Sequence, residues 1–301
     1  MTSEPPPPLV LTPPPDGKTP WGQVRRLAFI DFRLQFEGQV NRKDLRAYFG
    51  ISAQQASSDL SAYGALATNL LRYDSTAKHF VPGIGFKPQF GGDDAASYLN
   101  DLLALSAGVI SPDESFIGEL PDYGVVPTLK RPMPAPLLAV VLSAIRKQRS
   151  LRIRYQSMSR EEPSVRDISP HALGHDGFRW HVRAYCHKRY DFADFVFGRM
   201  LETQPSMAAW VDGALDTQWH TTVWLDLIPH PALSPAQRAA IALDYGMLNG
   251  HTRVSTRQAL LFYALKRFGL NKRGQAEERA QHIELANRSE LLPYLLEETA
   301  S

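Results

Sequence analysis

Residues 42–63 contain the pattern that most restricts how this chain folds. Apolar residues recur at helical spacing on both sides of a tight turn, Phe49-Gly50-Ile51-Ser52, which predicts two short helices. Gly50 suits the left-handed conformation that ends a first helix, and Ser52 suits the N-cap of a second. Two helices joined in this way form a helix-turn-helix, whose second helix enters the major groove of DNA.

The outward side chains of the second helix are small and polar, which suits contact with DNA. We predict that Gln54, Gln55 and Ser58 read bases, because a Gln amide pairs with adenine through two hydrogen bonds. Seven further residues are predicted to hold phosphates, and they are Arg42, Lys43, Arg46, Ser52, Ser57, Arg72 and Lys78. The alternative is an adaptor protein whose winged helix contacts only other proteins.

A hairpin is predicted directly after this motif. Residues 70–82 have the pattern of two short strands around a polar turn, and a hairpin in this position is the wing of a winged helix. An amphipathic helix over residues 21–36 is expected to pack behind the motif. We therefore assign residues 20–90 to a winged helix-turn-helix domain. Residues 1–19 are rich in proline, which disfavours helices and central strands, and we expect a disordered tail.

The rest of the chain falls into three segments that differ in composition and in the spacing of their apolar residues. Residues 91–136 are acidic, begin with a helical pattern and become rich in Pro and Gly, so we predict a helical linker. Residues 137–205 begin with a helical segment and then show apolar residues at a period of two, which predicts a small twisted sheet or barrel. Residues 206–301 mix strand and helix patterns. The predicted fold class is therefore α+β with several domains.

The strand predicted around Trp180 carries a row of cationic and aromatic side chains. Arg179, His181, Arg183 and Tyr185 alternate with apolar residues and so share one face of the strand. Such groups bind phosphates and stack on bases. We predict an effector site made of these four residues together with Tyr155, Arg166, His171 and Arg199. The alternative is the solvated polar face of a half-buried sheet.

Composition limits the other possibilities. The chain has 301 residues and a single cysteine, Cys186, so an intramolecular disulfide and a cysteine-ligated zinc finger are excluded. No apolar run approaches the roughly 20 residues that span a bilayer, and the start lacks a signal-peptide pattern. We therefore expect a cytoplasmic protein with no membrane partner.

The sequence also lacks the common motifs of catalysis. It contains no Gly-rich phosphate loop, dinucleotide fingerprint or nucleophile elbow. We therefore predict no catalytic residue, no cofactor and no metal site. The alternative function is a nucleic-acid-processing enzyme, or an accessory factor, that uses the sheet domain to hold its substrate.

Several motifs together resemble the WYL domain, which is named for a Trp-Tyr-Leu triplet. The similarity lies in Tyr155 and in the segments 168–173, 177–185 and 197–200. At the triplet this chain has Trp180-His181-Val182, so His181 replaces the central Tyr. With the helix-turn-helix, the wing and the tail over 224–271, the order of the modules resembles BrxR/CapW-type repressors of bacterial phage-defence islands.

The resemblance implies a homodimeric transcriptional repressor that binds a near-palindromic operator in double-stranded DNA. It implies that residues 137–205 form an SH3/Sm-like barrel, a WYL domain that senses an effector, either nucleic acid or a nucleotide. It also implies that residues 206–301 form an α/β extension for dimerisation, and that the controlled genes belong to a phage-defence operon.

Overall fold

The computed structural model describes residues 21–66, 71–90, 95–127, 129, 131–270 and 282–299. The chain divides into two compact units between residues 128 and 129. The Pro-rich tail that we predict over residues 1–19 lies outside the described residues. Among the described helices, none combines the length and the apolar character needed to cross a bilayer.

The first unit has the element order of a winged helix, as predicted. Its described helices are α1 (Trp21–Phe36), α2 (Arg42–Phe49), α3 (Ala53–Leu66) and α4 (Ala96–Ser106). Between α3 and α4, the antiparallel strands β1 (Leu71–Asp74) and β2 (His79–Pro82) form the hairpin. The helix-turn-helix thus consists of α2 and α3, and the wing is the β1–β2 hairpin.

Local signals set the ends of the helix-turn-helix. The Asn41 side chain caps α2 by accepting hydrogen bonds from two backbone N–H groups of the first turn, and the Asp44 carboxylate accepts from the Asn41 N–H at 2.7 Å. Gly50 ends α2 with a φ of +65°. The Ser52 hydroxyl oxygen accepts from the N–H of Gln55 at 3.1 Å and so caps α3. The predictions that Gly50 ends the first helix and that Ser52 caps the second are confirmed.

A buried carboxylate links the helices of this unit to the chain that follows the wing. Asp31 of α1 is 1% exposed. It accepts hydrogen bonds from the Tyr63 hydroxyl of α3 and from the N–H groups of Gln89, at 2.6 Å, and Phe90. Burial raises the pKa of Tyr63, and the negative charge of Asp31 raises it further. The hydroxyl therefore remains a hydrogen-bond donor.

Part of the predicted linker packs on the winged helix. The Phe116 ring lies 5.4 Å from the Phe29 ring, measured between centroids. The Tyr48 hydroxyl donates to the Glu114 carbonyl oxygen at 3.0 Å, and the Gly118 N–H donates to the carboxylate of Glu37 at 2.6 Å. Residues 114–118 of the predicted linker therefore pack against the helices of the first unit.

The second unit contains two antiparallel sheets in its described part. The larger has the strand order β6-β5-β4-β3-β7, with β3 (Leu151–Tyr155), β4 (Ser164–His175), β5 (Trp180–Cys186), β6 (Asp191–Val196) and β7 (Met200–Pro205). Helix α5 (Ala135–Lys147) packs on it through Val141 and Ala144, beside Ile153, Ile168 and Val182 of the sheet core. The sheet and α5 occupy the range that we predict for the sensing domain.

The smaller sheet belongs to the C-terminal extension, of which residues 206–270 and 282–299 are described. Its strand order is β10-β8-β9, with β8 (Thr222–Pro229), β9 (Thr252–Arg257) and β10 (Ile283–Leu285). The helices of the extension are α6 (Thr217–His220), α7 (Pro235–Asp244), α8 (Leu261–Arg267) and α9 (Arg288–Thr299).

The larger sheet is open in the residues that the structure describes. Strands β6 and β7 lie at its two edges, and no backbone ladder joins them. The closed SH3/Sm-like barrel that the family resemblance implies is therefore not confirmed. The mixed helix-and-sheet class is confirmed, as is the N-terminal winged helix.

We expect the substitution Asp31→Ala to destabilise the first unit more than Tyr63→Phe. Asp31→Ala leaves three donors without their acceptor and should lower the free energy of unfolding by about 3 kcal/mol. Tyr63→Phe removes one hydrogen bond and should cost about 1 kcal/mol. Hydrogen exchange of the α1 and α3 amides, measured in the full chain at increasing urea, reports both values. Equal losses in the two variants would show that the carboxylate does not organise this unit.

Candidate nucleic-acid interface and effector cavity

The exposed face of α3 contains the predicted base-reading residues. Gln54 and Ser58 are exposed. Gln55 is half-buried, because its side-chain amide donates to the Asp59 carboxylate at 3.1 Å. Asp59 is itself paired with Arg26 of α1 at 2.6 Å. The structure therefore presents Gln54 and Ser58 to solvent and directs Gln55 toward the protein.

The cations predicted to hold phosphates lie on α2 and on the wing, the elements that come before and after α3 in the chain. Arg42, Lys43 and Arg46 are exposed on α2, and Arg72 and Lys78 are exposed on the wing. Within the described residues, none of these five side chains forms an ion pair. Their charges therefore remain available to an anionic partner.

The two serines of the predicted phosphate contacts differ in what they can offer. The Ser52 oxygen accepts the cap hydrogen bond of α3, which leaves its hydroxyl hydrogen for a phosphate. The Ser57 hydroxyl donates to the Ala53 carbonyl oxygen at 3.0 Å, so its hydrogen is already engaged. Ser52 is thus the better donor of the two.

A cavity of about 760 Å³ lies beside β6 in the second unit. Three of the eight predicted effector residues line it, namely Tyr155, Arg166 and Arg199. Its charged lining consists of five cations and two carboxylates, which are Arg160, Arg166, Lys188, Arg189, Arg199, Asp191 and Asp194. A volume of this size is typical of a small-molecule site, and the excess of cations favours an anionic ligand.

The wall of this cavity is held in place by short-range contacts. The Arg166 guanidinium lies 5.8 Å from the centre of the Tyr155 ring, within the range of a cation–π interaction, and its Nε donates to Ser164 at 3.3 Å. The Tyr155 ring packs edge-on against Phe195, with 5.1 Å between centroids. The Tyr155 hydroxyl accepts from the Val196 N–H at 3.2 Å. The aromatic and cationic groups are therefore positioned before any ligand arrives.

The row of polar residues on β5 does not face solvent. Arg183 is 4% exposed, because the start of the C-terminal extension covers it. Its Nε and Nη2 atoms donate to the two carboxylate oxygens of Asp216 at 2.7 and 3.0 Å, and Nη2 also donates to Gln218 at 3.0 Å. His171 contacts the same carboxylate at 3.0 Å. Asp216 also caps α6 by accepting from the Trp219 N–H at 3.1 Å.

The neighbouring positions of β5 are also occupied by protein contacts. His181 is 2% exposed, and its Nε2 lies 2.9 Å from the Asp176 carboxylate, which Arg179 also contacts at 2.8 Å. The Tyr185 ring packs on Phe192, with 5.3 Å between centroids. The face is therefore not open at His181 and Arg183, where neither the predicted effector contact nor the alternative of a solvated surface fits, whereas Arg179 and Tyr185 are half-buried. Its polar groups instead hold other parts of the second unit.

Hydrogen bonds determine the ionisation of the two central carboxylates. Burial alone would raise the pKa of Asp216, but hydrogen bonds from His171 and Arg183 outweigh it and hold that pKa well below its usual range. Burial is likewise outweighed at Asp176 by hydrogen bonds from His181 and Arg179, and the pKa is lowered. Both carboxylates are therefore charged in the folded protein at neutral pH.

Asp194 differs from these two carboxylates, although it lies on the same sheet. Its side chain is 12% exposed, and one carboxylate oxygen lies 3.4 Å from Nη1 of Arg183. Burial raises the pKa of Asp194, and the attraction of Arg183 only partly opposes it. Asp194 is thus a nearly buried acid that lies in the wall of the cavity beside β6 and has Arg183 as its cationic partner.

Sequence reasoning missed several residues of this region. Arg160, Lys188 and Arg189 lie outside the strands, where no period indicates which way a side chain faces. Asp216 could have been predicted as a helix N-cap, because an Asp that precedes a short helical pattern suits that position. Its pairing with Arg183, 33 residues away, has no local signal.

Comparison with known proteins identifies the modules. Residues 22–104 match a model described as the BrxR transcriptional regulator winged helix-turn-helix domain, residues 136–205 match the WYL domain, and residues 222–291 match the BrxR transcriptional regulator C-terminal dimerization domain. A relative from Stenotrophomonas maltophilia, the DNA-binding transcriptional repressor CapW, is 44% identical over 94% of this chain and 95% of its own. This chain belongs to the BrxR/CapW family of transcriptional regulators.

Other members of the BrxR/CapW family give the same result. A Pseudomonas aeruginosa relative is 42% identical over 90% of this chain and 91% of its own, and one from Escherichia coli (strain KTE188) is 39% identical over 91% and 92%. Both are named as DNA-binding transcriptional repressor CapW. The family is one of regulators and not of enzymes, so the nucleic-acid-processing alternative is set aside.

One solved structure is more distantly similar. Proteasome accessory factor B/C (PafBC) of Arthrobacter aurescens is 19% identical, and the match covers 97% of this chain with a TM-score of 0.26. This chain spans about half of that one, 51% of its length. A score this low supports no argument about the BrxR/CapW fold or its function.

We expect acid to weaken the second unit through Asp216 and Asp176. Because the folded-state pKa of each lies below the unfolded value of about 4, their stabilising effect is complete above that pH and is lost as the pH falls. Asp216→Asn should lower the free energy of unfolding by about 3 kcal/mol at neutral pH, since it weakens a buried ion pair. The same variant should lose less stability than the wild type on acidification.

Urea unfolding of the full chain between neutral pH and about pH 3 measures both effects. Asp191→Asn is the matched control, because Asp191 is an exposed acid of β6. An acid dependence in Asp216→Asn equal to that of the wild type would contradict the assignment.

Proposed function

We propose that this chain is a homodimeric, sequence-specific transcriptional repressor that binds a near-palindromic DNA operator and is regulated by an anionic effector. The observation that carries the DNA-binding proposal is the exposed face of α3. Gln54 and Ser58 are exposed there, and the exposed cations of α2 and of the wing have no carboxylate partner in the described chain. The relatives named as DNA-binding repressors support the same conclusion.

On this proposal, α3 enters the major groove, where Gln54, Gln55 and Ser58 contact base edges. Gln55 would first exchange its hydrogen bond with Asp59 for one with a base. Arg42, Lys43 and Arg46 on one side, and Arg72 and Lys78 on the other, hold the phosphate backbone. A dimer formed through the C-terminal extension would present two copies of α3 about 34 Å apart, one turn of the duplex. The match of residues 222–291 to a dimerization domain supports this arrangement.

We propose the cavity beside β6 as the effector site and a nucleotide or nucleic acid as the effector. Tyr155 offers a ring beside the bound anion, and Arg166 and Arg199 offer charge-assisted hydrogen bonds. His171, Arg179, His181, Arg183 and Tyr185 contribute indirectly, through the packing around the site. We further propose a cytoplasmic location and control of a phage-defence operon, which rest on the family resemblance.

We expect the substitution Gln54→Ala to reduce sequence preference, whereas Arg72→Ala and Lys78→Ala reduce affinity for any duplex. Loss of a base contact should raise the operator Kd about tenfold and leave binding to random DNA unchanged. Loss of a phosphate contact should weaken binding to both and lower the slope of log K against log salt by about one. Fluorescence anisotropy with the chain's own upstream DNA and with a scrambled duplex separates these outcomes.

Two results would count against this assignment. Equal losses of Gln54→Ala on operator and scrambled DNA would show that Gln54 does not read bases. Absence of binding to either duplex at low salt would favour the adaptor alternative, in which the winged helix contacts protein.

We expect Arg166→Ala and Arg199→Ala to repress normally but to respond poorly to the effector. Each removes a charge-assisted hydrogen bond, so the effector concentration that gives half response should rise about tenfold or more. A reporter under the operator, titrated with a panel of mono- and oligonucleotides, measures repression and response separately. Arg154→Ala is the matched control, since Arg154 lies on β3 but pairs with Glu202 outside the cavity lining. A normal response in both cavity variants would reject the site.

A further inference from the structure

We propose that Asp194 couples the effector cavity to the C-terminal extension, so that an anion bound in the cavity loosens the hold of the sheet on α6 and α8. This inference rests on the proposed effector site. It assigns a regulatory role to one buried carboxylate that contacts both regions.

Two cavities of the second unit share lining residues of β6. Beyond the effector cavity, a second cavity of about 490 Å³ is lined by Arg183 and Phe192 of the sheet and by Gln218, Tyr263 and Leu295 of the extension. The two cavities share four lining residues of β6 and the turn before it, which are Arg189, Asp191, Ala193 and Asp194. A displacement of β6 would therefore alter the lining of both cavities.

Asp194 is the shared residue with direct links to the extension. Its carboxylate pairs with Nη1 of Arg183 at 3.4 Å, and Tyr263 of α8 lines the second cavity beside it, where its hydroxyl acts to lower the pKa of Asp194. Through its other nitrogen atoms, Arg183 holds Asp216 and Gln218. One carboxylate thus reaches α8 directly and the start of α6 through a single guanidinium.

An anion in the cavity acts on this link through charge. Asp194 is nearly buried, and like charges repel more strongly away from water. The cations of the cavity compensate the ligand, but among the described residues the carboxylate itself has only Arg183 as an ion-pair partner. The repulsion therefore weakens the contacts of Asp194 with Arg183 and Tyr263. By thermodynamic linkage, a loosened extension must in turn favour anion binding.

Asp191 provides a matched control for this argument. It lies on the same strand and lines the same two cavities. Its carboxylate, however, accepts a hydrogen bond from the N–H of the adjacent Phe192 at 2.7 Å, and in the described chain no hydrogen bond or ion pair joins it to the extension. Both aspartates line the cavity, and Asp194 differs by its burial and by its contacts with Arg183 and Tyr263.

The first experiment needs no ligand. Hydrogen exchange of the full chain is compared between the wild type, Asp194→Asn and Asp191→Asn. In Asp194→Asn, the amides of α6 and α8 should exchange about fivefold faster or more, while the other helices of the unit and the Asp191→Asn variant stay at the wild-type rate. Unchanged exchange of α6 and α8 in Asp194→Asn would overturn the proposal.

The second experiment adds inorganic tripolyphosphate, a probe of the cavity charge that has no base. Asp191→Asn should bind it more tightly than the wild type, because it removes an exposed carboxylate from the cavity, and Asp194→Asn should bind it at least as tightly as the wild type. The probe should speed exchange of α8 in the wild type and in Asp191→Asn, with no further change in Asp194→Asn. Suppose that Arg166→Ala weakens binding of the probe, but the probe does not change the exchange of α8 in the wild type. This result would reject the coupling through Asp194 and would support the effector site. Failure of Arg166→Ala to weaken binding would reject the site, and the first experiment would still decide whether Asp194 holds the extension.

Discussion

The arrangement of the second unit depends on the buried pair between Arg183 and Asp216. The guanidinium donates to both oxygens of the carboxylate, and the two groups come from a strand of the sheet and from the start of the C-terminal extension. A buried pair of this kind stabilises only when both partners are present, since either one alone is an uncompensated charge in a poor solvent. The pair therefore requires the two parts of the chain to meet in one relative position.

The first unit was largely predictable because its signals are local. The turn at Gly50, the cap at Ser52 and the wing hairpin each depend on residues within a few positions of one another, and the structure has all three. The packing of the chain around Phe116 on the winged helix had no such signal. It depends on rings far apart in sequence, as in the contact with Phe29, which no short-range pattern encodes.

The effector region was predictable only in part, for a related reason. Alternation along β5 indicates that Arg183 and His181 share a face, but a face turned to water and a face turned to another polar segment have the same pattern. In the structure this face is turned to other polar segments, because Asp216 pairs with Arg183 and Asp176 pairs with His181, and both of these β5 residues are buried. Tyr155, Arg166 and Arg199 do line one cavity, whereas the cations in neighbouring loops had no periodicity to identify them.

The contacts of Arg26 have a consequence for how the winged helix engages its target. By holding Asp59, which holds Gln55, this residue fixes the rotation of α3 about its own axis relative to α1. A recognition element that is already ordered loses little conformational entropy when it docks. It also adapts poorly, so a duplex whose groove width does not suit the rigid helix must itself deform. Discrimination among sites would then depend on the stiffness of the DNA as well as on the bases that are touched.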